Sequence, residues 1–327
     1  MRAPTREPDF DAWFGPDAFD ASYGHDLSAL RAIEPPQPVP GFTAHWQARY
    51  EAARQVRPEL ERTPAGTACD HDVFTVQFST TDGRRLGGWL ALPRTGPVQR
   101  GVVHSHGYGG RAMIDPLALA PHTAVLWPVA RGLPSASMMP DLPALAAEHV
   151  LVGIDSPDTY ILGGCAEDVW CAASALHEVA GPVPLDYVGQ SFGGGVGALA
   201  LPWDDRFRSG VLSVPSFGHY DLRLQMPCTG SGESVRHHVQ ANPRARAVLD
   251  LFDAAAAARS LTIPMLIACA LWDPAVPPPG QFAVLNAVEH AEAFVLSAGH
   301  TEYPGAEEED TAWRARVRAF LAAASDS

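Results

Sequence analysis

The sequence predicts an α/β fold, a mostly parallel sheet covered by helices on both faces. Three observations carry this. From about residue 100 short apolar runs alternate with longer helical stretches. The runs are nearly continuously apolar, as strands buried on both faces are. The chain of 327 residues, 46% hydrophobic and 18% charged, is long enough for one large domain with an N-terminal addition and is not composed like a disordered segment.

Residues 1–66 read as an N-terminal extension. They are polar, dotted with aromatics and broken by the Pro-rich run 35–40, and a helical stretch over 42–54 is expected to pack on the core. The main domain is expected over 67–327. His71–Ser79 alternates, with Val73, Thr75 and Gln77 against Phe74, Val76 and Phe78, and Thr81-Asp82-Gly83 then turns into Leu86–Leu92, which predicts an antiparallel hairpin. Buried strands follow at 101–105, 124–129, 149–154, 184–189, 210–214, 263–270 and 293–297. Helices are expected at Glu167–Val179, Phe192–Leu201, Gln281–His290 and Thr311–Ala324. The stretches 130–147 and 215–260 read as insertions that shape a pocket mouth.

Composition excludes several chemistries. All 23 basic residues are arginine, so a P-loop, a lysine Schiff base and a kinase-type nucleotide site each lack their ammonium. A net charge of −14 argues against nucleic acid and an anionic membrane as partners. Met1 to Phe14 contains no apolar run, so no leader or spanning segment is expected. The cysteines, Cys69, Cys165, Cys171, Cys228 and Cys269, are odd in number and form no Cys-x-x-Cys, which fits free thiols in a reducing cytoplasm. No cofactor or metal is called for.

The strongest local signal is 189-GQSFG-193. It follows a predicted strand and opens a predicted helix, the setting of a nucleophile elbow at Ser191. Gly193, Gly194, Gly195 and Gly197 would each cost a helix about 1 kcal/mol relative to alanine, so helix stability does not account for them; close backbone approach at a strained turn does. A serine hydroxyl needs a base, and the base a third group to hold it. In this arrangement acid and histidine follow the serine along the chain. His219, His237 and His238 fall in the second insertion and His290 ends a helical pattern, whereas His300 lies in 298-AGHTE-302 directly after a strand. Asp273, in 271-LWDPAVPPPG-280, follows the preceding strand in the same way, and the prolines stiffen its loop. Asp204, Asp205, Asp221, Asp250 and Asp253 read as solvated. Oxyanion donors are expected from the backbone N–H of Phe192 and, in the loop 104-HSHGYGG-110, of Tyr108.

The pair His104-x-His106 admits a rival reading as a metal site of the barrel amidohydrolase kind. Such sites commonly recruit a carboxylated lysine, which this chain lacks, and the elbow would go unexplained. His104 reads instead as a core-edge residue.

Several segments together resemble the acetyl xylan esterase and cephalosporin C deacetylase group, carbohydrate esterase family seven. They are the hairpin 71–93, the loop 106-HGYGG-110, Arg131-Gly132, 153-GIDSPDTYILGG-164, the elbow, 271-LWDPAVPPP-279 and His300. The resemblance covers the chain from about residue 42. It implies an α/β-hydrolase fold, a Ser191–Asp273–His300 triad, oxyanion donors at Tyr108 and Phe192, and removal of acetyl groups from sugars or related alcohols. A homo-oligomer, commonly a hexamer, is also implied. The sequence departs from the family pattern at 131-RGL-133, at Ser191-Phe192-Gly193 and at His300-Thr301-Glu302, and is identified as a divergent member. Other acyl hydrolases of the same fold, namely a thioesterase, a longer-chain carboxylesterase or a peptidase-like enzyme, are the alternatives.

Overall fold

The computed structural model describes residues 8–323; the start of the predicted extension and the predicted helix end at Ala324 lie outside them. The chain enters through two single-turn helices, α1 (Phe10–Phe14) and α2 (Leu27–Arg31), and then α3 (Phe42–Arg54). Trp46 of α3 is fully buried and its indole N–H donates to Leu251 O, which fastens this helix to the core.

Three antiparallel strands follow: β1 (Glu61–Ala68), β2 (His71–Ser79) and β3 (Arg85–Pro93). The predicted hairpin is β2–β3, turning through Thr81–Gly83, where Asp82 adopts φ 60°. Strand β1 was not expected, and the boundary drawn at residue 66 falls inside it. It is an edge strand, nearly all of it exposed, with Pro64 and a register shift before Gly66, so no apolar alternation betrays it.

The parallel part comprises β4 (Arg100–His104), β5 (Thr123–Pro128), β6 (Leu185–Gln190), β7 (Phe207–Ser213), β8 (Met265–Ala270) and β9 (Glu292–Leu296). The nine strands run in the order β1-β2-β3-β5-β4-β6-β7-β8-β9. The predicted strand at 149–154 is absent. Its residues form the end of α4 (Ala146–His149) and a series of turns, with His149, Val150 and Ile154 buried at helix-like rather than alternating spacing. Gly153 makes the turn at φ +66°, where a side chain would collide with the Thr159 carbonyl.

Helices α5 (Ile161–Ala180) and α6 (Phe192–Ala200) cover one face of the sheet. The second insertion is mainly short helices, α7 (Tyr220–Arg223), α8 (Ser231–Ala241), α9 (Ala245–Leu249) and α10 (Ala254–Ala258). Helix α11 (Pro278–Ala287) joins the first face, while α12 (Ala306–Ala323) packs Trp313, Val317 and Leu321 on the other, against Val102, Val188 and Val211. Two of the aspartates read as solvated are buried. Asp204 pairs with Arg206, and Asp253 accepts the backbone N–H groups of His219, Tyr220, Ala255 and Ala256. As an N-cap that also ties down the preceding loop, Asp253 satisfies four donors that would otherwise be orphaned. No helix among the described residues is long and apolar enough to cross a membrane.

Candidate active site

Strand order locates the site. From β4 the chain passes to β5 on one side, then crosses by α5 to β6 on the other, so the loops after β4 and β6 part company at a topological switch point. Ligand crevices of open parallel sheets form outside the carboxyl ends of strands at such a point. The loop carrying Tyr108 follows β4, Ser191 follows β6, Asp273 follows β8 and His300 follows β9.

Ser191 sits between β6 and α6 at φ 52°, ψ −113°, a strained conformation that lifts the hydroxyl out of both elements. The glycines around it do what their crowding predicts. A Cβ on Gly193 would lie 2.7 Å from the His106 carbonyl and 2.7 Å from Ser105 Oγ, one on Gly189 would strike Gly193 O, and ones on Gly195 and Gly197 would strike Ser216 O and the Tyr187 ring. Any larger residue would push α6 off the sheet and turn the serine away.

The structure brings Ser191, Asp273 and His300 together. His300 Nε2 is 2.8 Å from Ser191 Oγ, and His300 Nδ1 is 2.7 Å from Asp273 Oδ2. Ser191 is 9% exposed and Asp273 fully buried. An ionised Asp273 only accepts, so Nδ1 carries the proton and Nε2 presents its lone pair to the serine hydroxyl. Burial pulls the His300 pKa down, but the hydrogen bond and charge of Asp273 together outweigh it and hold it above the ordinary histidine value. The carboxylate is itself held from two sides. Oδ1 accepts from the Ala275 and Val276 amides, and Oδ2 accepts from Gln281 Nε2 at 2.9 Å. Gln281, fully buried on α11, also donates to Val276 O and accepts from Ala270 N–H. Sequence reasoning missed Gln281, which shares α11 with a second amide, Asn286, and carries no local signal that sets it apart.

The N-terminal segment braces the loops that carry Asp273 and His300. Phe10 and Phe14 pack on Trp272 at 4.9 and 5.0 Å between centroids, Trp13 stacks on Tyr303 at 5.7 Å, and Asp273 N–H donates to Ala21 O. Aromatic pairs of this kind contribute about 0.5–1.5 kcal/mol each beyond burial.

Phe192 opens α6, where a first-turn N–H has no helical acceptor. Neither its N–H nor that of Tyr108 donates to an acceptor among the described residues. The two rings pack 4.4 Å apart. Tyr108 is anchored through its hydroxyl, 3.0 Å from His149 Nδ1, while His149 Nε2 is 2.9 Å from Arg131 O. The carbonyl only accepts, so His149 donates from Nε2 and accepts the tyrosine proton at Nδ1. Arg131 in turn makes a buried bidentate pair with Asp168, which also accepts from Thr80. The arginine of 131-RGL-133 thus ties down the 104–110 loop through His149 and Tyr108.

The histidine pair of the metal reading is otherwise engaged. His104 Nδ1 accepts from the Trp127 indole and His106 Nε2 accepts from Ala130 N–H. Burial holds both neutral, with pKa values lowered to about 3 and about 4, so each ring's single lone pair is already used. Among the described residues no three metal-ligating side chains cluster. His237 and His290 are exposed, and His238 pairs with Asp155 at the surface.

The acetyl xylan esterase (AXE1) family model matches residues 25–316. Among solved structures, an acetyl xylan esterase from a Paenibacillus species is similar over 89% of this chain and 99% of its own, with TM-score 0.77 at 19% identity. Acetyl xylan esterase 1 from a Thermoanaerobacterium species matches over 91% and 99%, with TM-score 0.74 at 18% identity. An acylaminoacyl peptidase from Pyrococcus horikoshii shares the fold over 77% of this chain and 41% of its own, with TM-score 0.57 at 14% identity. With its parallel sheet, its sharp strand-to-helix turn at Ser191 and a family match running through nearly the whole described chain, this protein belongs to the acetyl xylan esterase family, carboxylic ester hydrolases on the α/β-hydrolase fold.

Proposed function

We propose that this chain is a serine esterase that removes small acyl groups, acetyl above all, from sugars or related alcohols. The observation that carries the reading is the hydrogen-bonded line Ser191–His300–Asp273 with spacings of 2.8 and 2.7 Å. Ser191 Oγ attacks the ester carbonyl while His300 Nε2 takes its proton. The charge that develops on the carbonyl oxygen meets the Phe192 and Tyr108 amides, a contribution of about 3–4 kcal/mol per donor in comparable sites. Imidazolium His300, stabilised by Asp273, returns the proton to the leaving alkoxide, and water activated by the same ring releases the acyl group and restores Ser191.

Tight packing around the oxyanion side, with Tyr108, Phe192 and Phe217 ring against ring, supports a short acyl chain over a long one. The five thiols are unpaired, which supports a reducing compartment. A homo-oligomer is part of the same proposal, and light scattering in solution tests it. The decisive experiment is turnover of 4-nitrophenyl esters from acetate to octanoate by the wild type and by Ser191→Ala. The proposal expects a steep preference for acetate and loss of nearly all turnover in the variant. Substantial activity in Ser191→Ala refutes the mechanism, and a preference for octanoate or for a thioester refutes the acyl specificity.

A further inference from the structure

Among the described residues two arginines are more than nine-tenths buried, Arg131 at 3% exposure and Arg223 at 7%. Arg131 is fully engaged, with Asp168, Asp82 and Thr81 on its nitrogens. Arg223, the last residue of α7, is the opposite case. It donates no hydrogen bond and pairs with no carboxylate among the described residues, and its Nη1 is sealed from solvent without a partner. The acids around it are committed elsewhere: Asp221 to Arg246, Glu233 to Arg236, and Asp253 to four backbone amides. Its guanidinium lies 5.8 Å from the Phe217 ring centroid and 6.0 Å from that of Tyr220. Ring faces attract a cation but supply no counter-charge. A buried charge without one costs far more than an unpaired neutral group.

Two further donors beside it are unmatched. The hydroxyls of Tyr160 and Tyr220 are both sealed from solvent and unbonded. The two phenols are neighbours, and even a bond between them would spend only one of their two protons. Burial above all raises the pKa of both, against a pull from the nearby Arg223 charge, so both stay protonated. Guanidinium and phenols therefore all have protons to give, and no carboxylate answers them. A neutral hydroxyl-bearing ligand would bring more donors, whereas an anion brings only acceptors. The spot also touches the elements next to Ser191 and Asp273. Phe217 meets the Phe192 ring at 6.1 Å, and a Cβ on Gly280, the residue before Gln281, would lie 3.3 Å from Arg223 Cγ and Cδ.

We infer that Arg223, with the Tyr160 and Tyr220 hydroxyls, forms a binding site for a small monoanion, a halide or a short carboxylate, which serves the buried guanidinium as its counter-ion. At 7% exposure the arginine is open only to an ion of few atoms.

The test follows the thermal midpoint of the full chain as sodium chloride or sodium acetate replaces sodium gluconate at constant ionic strength. Gluconate is a monoanion too large for the site. The wild type should show a saturable rise with chloride, acetate or both, as a ligand that binds only the folded state produces. Arg223→Met, which keeps the length of the apolar stem and removes the charge, should respond to neither. No saturable rise in the wild type, or the same rise in Arg223→Met, overturns the inference. Should Arg223→Met fail to fold, the double variant Tyr160→Phe/Tyr220→Phe removes only the two unbonded hydroxyls. It should raise the half-saturating concentration at least about fivefold, the loss expected of one hydrogen bond; an unmoved value overturns the inference. No ester enters either readout, so a failure of the esterase reading leaves this test intact.

Discussion

Replacing Gln281 by leucine keeps the volume of a fully buried side chain but removes three hydrogen bonds. Two of them satisfy backbone groups, Ala270 N–H at 2.9 Å and Val276 O at 2.6 Å; the third is the donor to Asp273 Oδ2 at 2.9 Å. Orphaning two buried backbone groups at about 1–3 kcal/mol each gives a loss of about 2–6 kcal/mol in stability, read by urea denaturation as a lower midpoint with unchanged slope. The catalytic effect is separable. Asp273 keeps its two amide donors on Oδ1 and its bond to His300, so the carboxylate stays but loses one of the two groups fixing Oδ2. A loss of about tenfold in kcat/KM corresponds to about 1.4 kcal/mol of lost orientation. The pH profile adds a readout that a purely structural role would not move. Without the glutamine N–H, the charge on Asp273 is less shared and holds the imidazolium proton more tightly, so the acidic limb of kcat/KM shifts to higher pH. A variant that is destabilised yet keeps full kcat/KM and an unshifted limb refutes the claim that Gln281 holds the acid in place.

Three further outcomes follow from the same geometry. Activity of the wild type should rise with pH through a His300 pKa above the ordinary value of 6.5, because only the neutral ring accepts the serine proton. Stability runs the opposite way: the contribution of the raised pKa is fully present below the unfolded value and is lost as pH rises through the folded one, so chemical denaturation across that window should show a decline as activity climbs. Tyr108→Phe removes the bond to His149 Nδ1 but keeps the backbone N–H; it should cost about 1–3 kcal/mol in stability while retaining most turnover of 4-nitrophenyl acetate, and a loss as deep as that of Ser191→Ala contradicts the backbone-donor assignment. Arg131→Ala leaves Asp168 charged and buried without its partner, which should cost about 3–5 kcal/mol, seen as a drop in thermal midpoint; an unchanged midpoint contradicts the anchoring role.

The parts of this fold that were legible in the sequence are those where one physical signal dominates. Buried parallel strands are apolar on both faces, so β4 to β9 stand out, and the glycine crowding at Gly193–Gly195 has no reading except close packing. Ser191, Asp273 and His300 could each be chosen because each lies in the loop after a strand, and a parallel sheet gathers such loops at one edge. Features that depend on distant partners were not legible. Strand β1 is exposed and polar and exists only because β2 offers an edge. Residues 149–154 are as apolar as a strand, but they are committed to a turn by Gly153 and to the Tyr108–His149–Arg131 chain by contacts across the sheet. Asp204 and Asp253 look like solvated carboxylates until Arg206 and four amides are placed around them. Gln281 belongs to the same class, since nothing local tells an amide that will hold the buried Asp273 carboxylate from one facing water.

The central claim is that Ser191 is a nucleophile activated by His300. It is tested most directly by treating the native protein with a fluorophosphonate and locating the adduct by peptide mass spectrometry, with no need for the natural substrate. The account predicts a single adduct on Ser191, formed faster as pH rises through the His300 pKa and abolished in His300→Ala. An adduct on another residue, or no adduct on protein that remains folded, contradicts it.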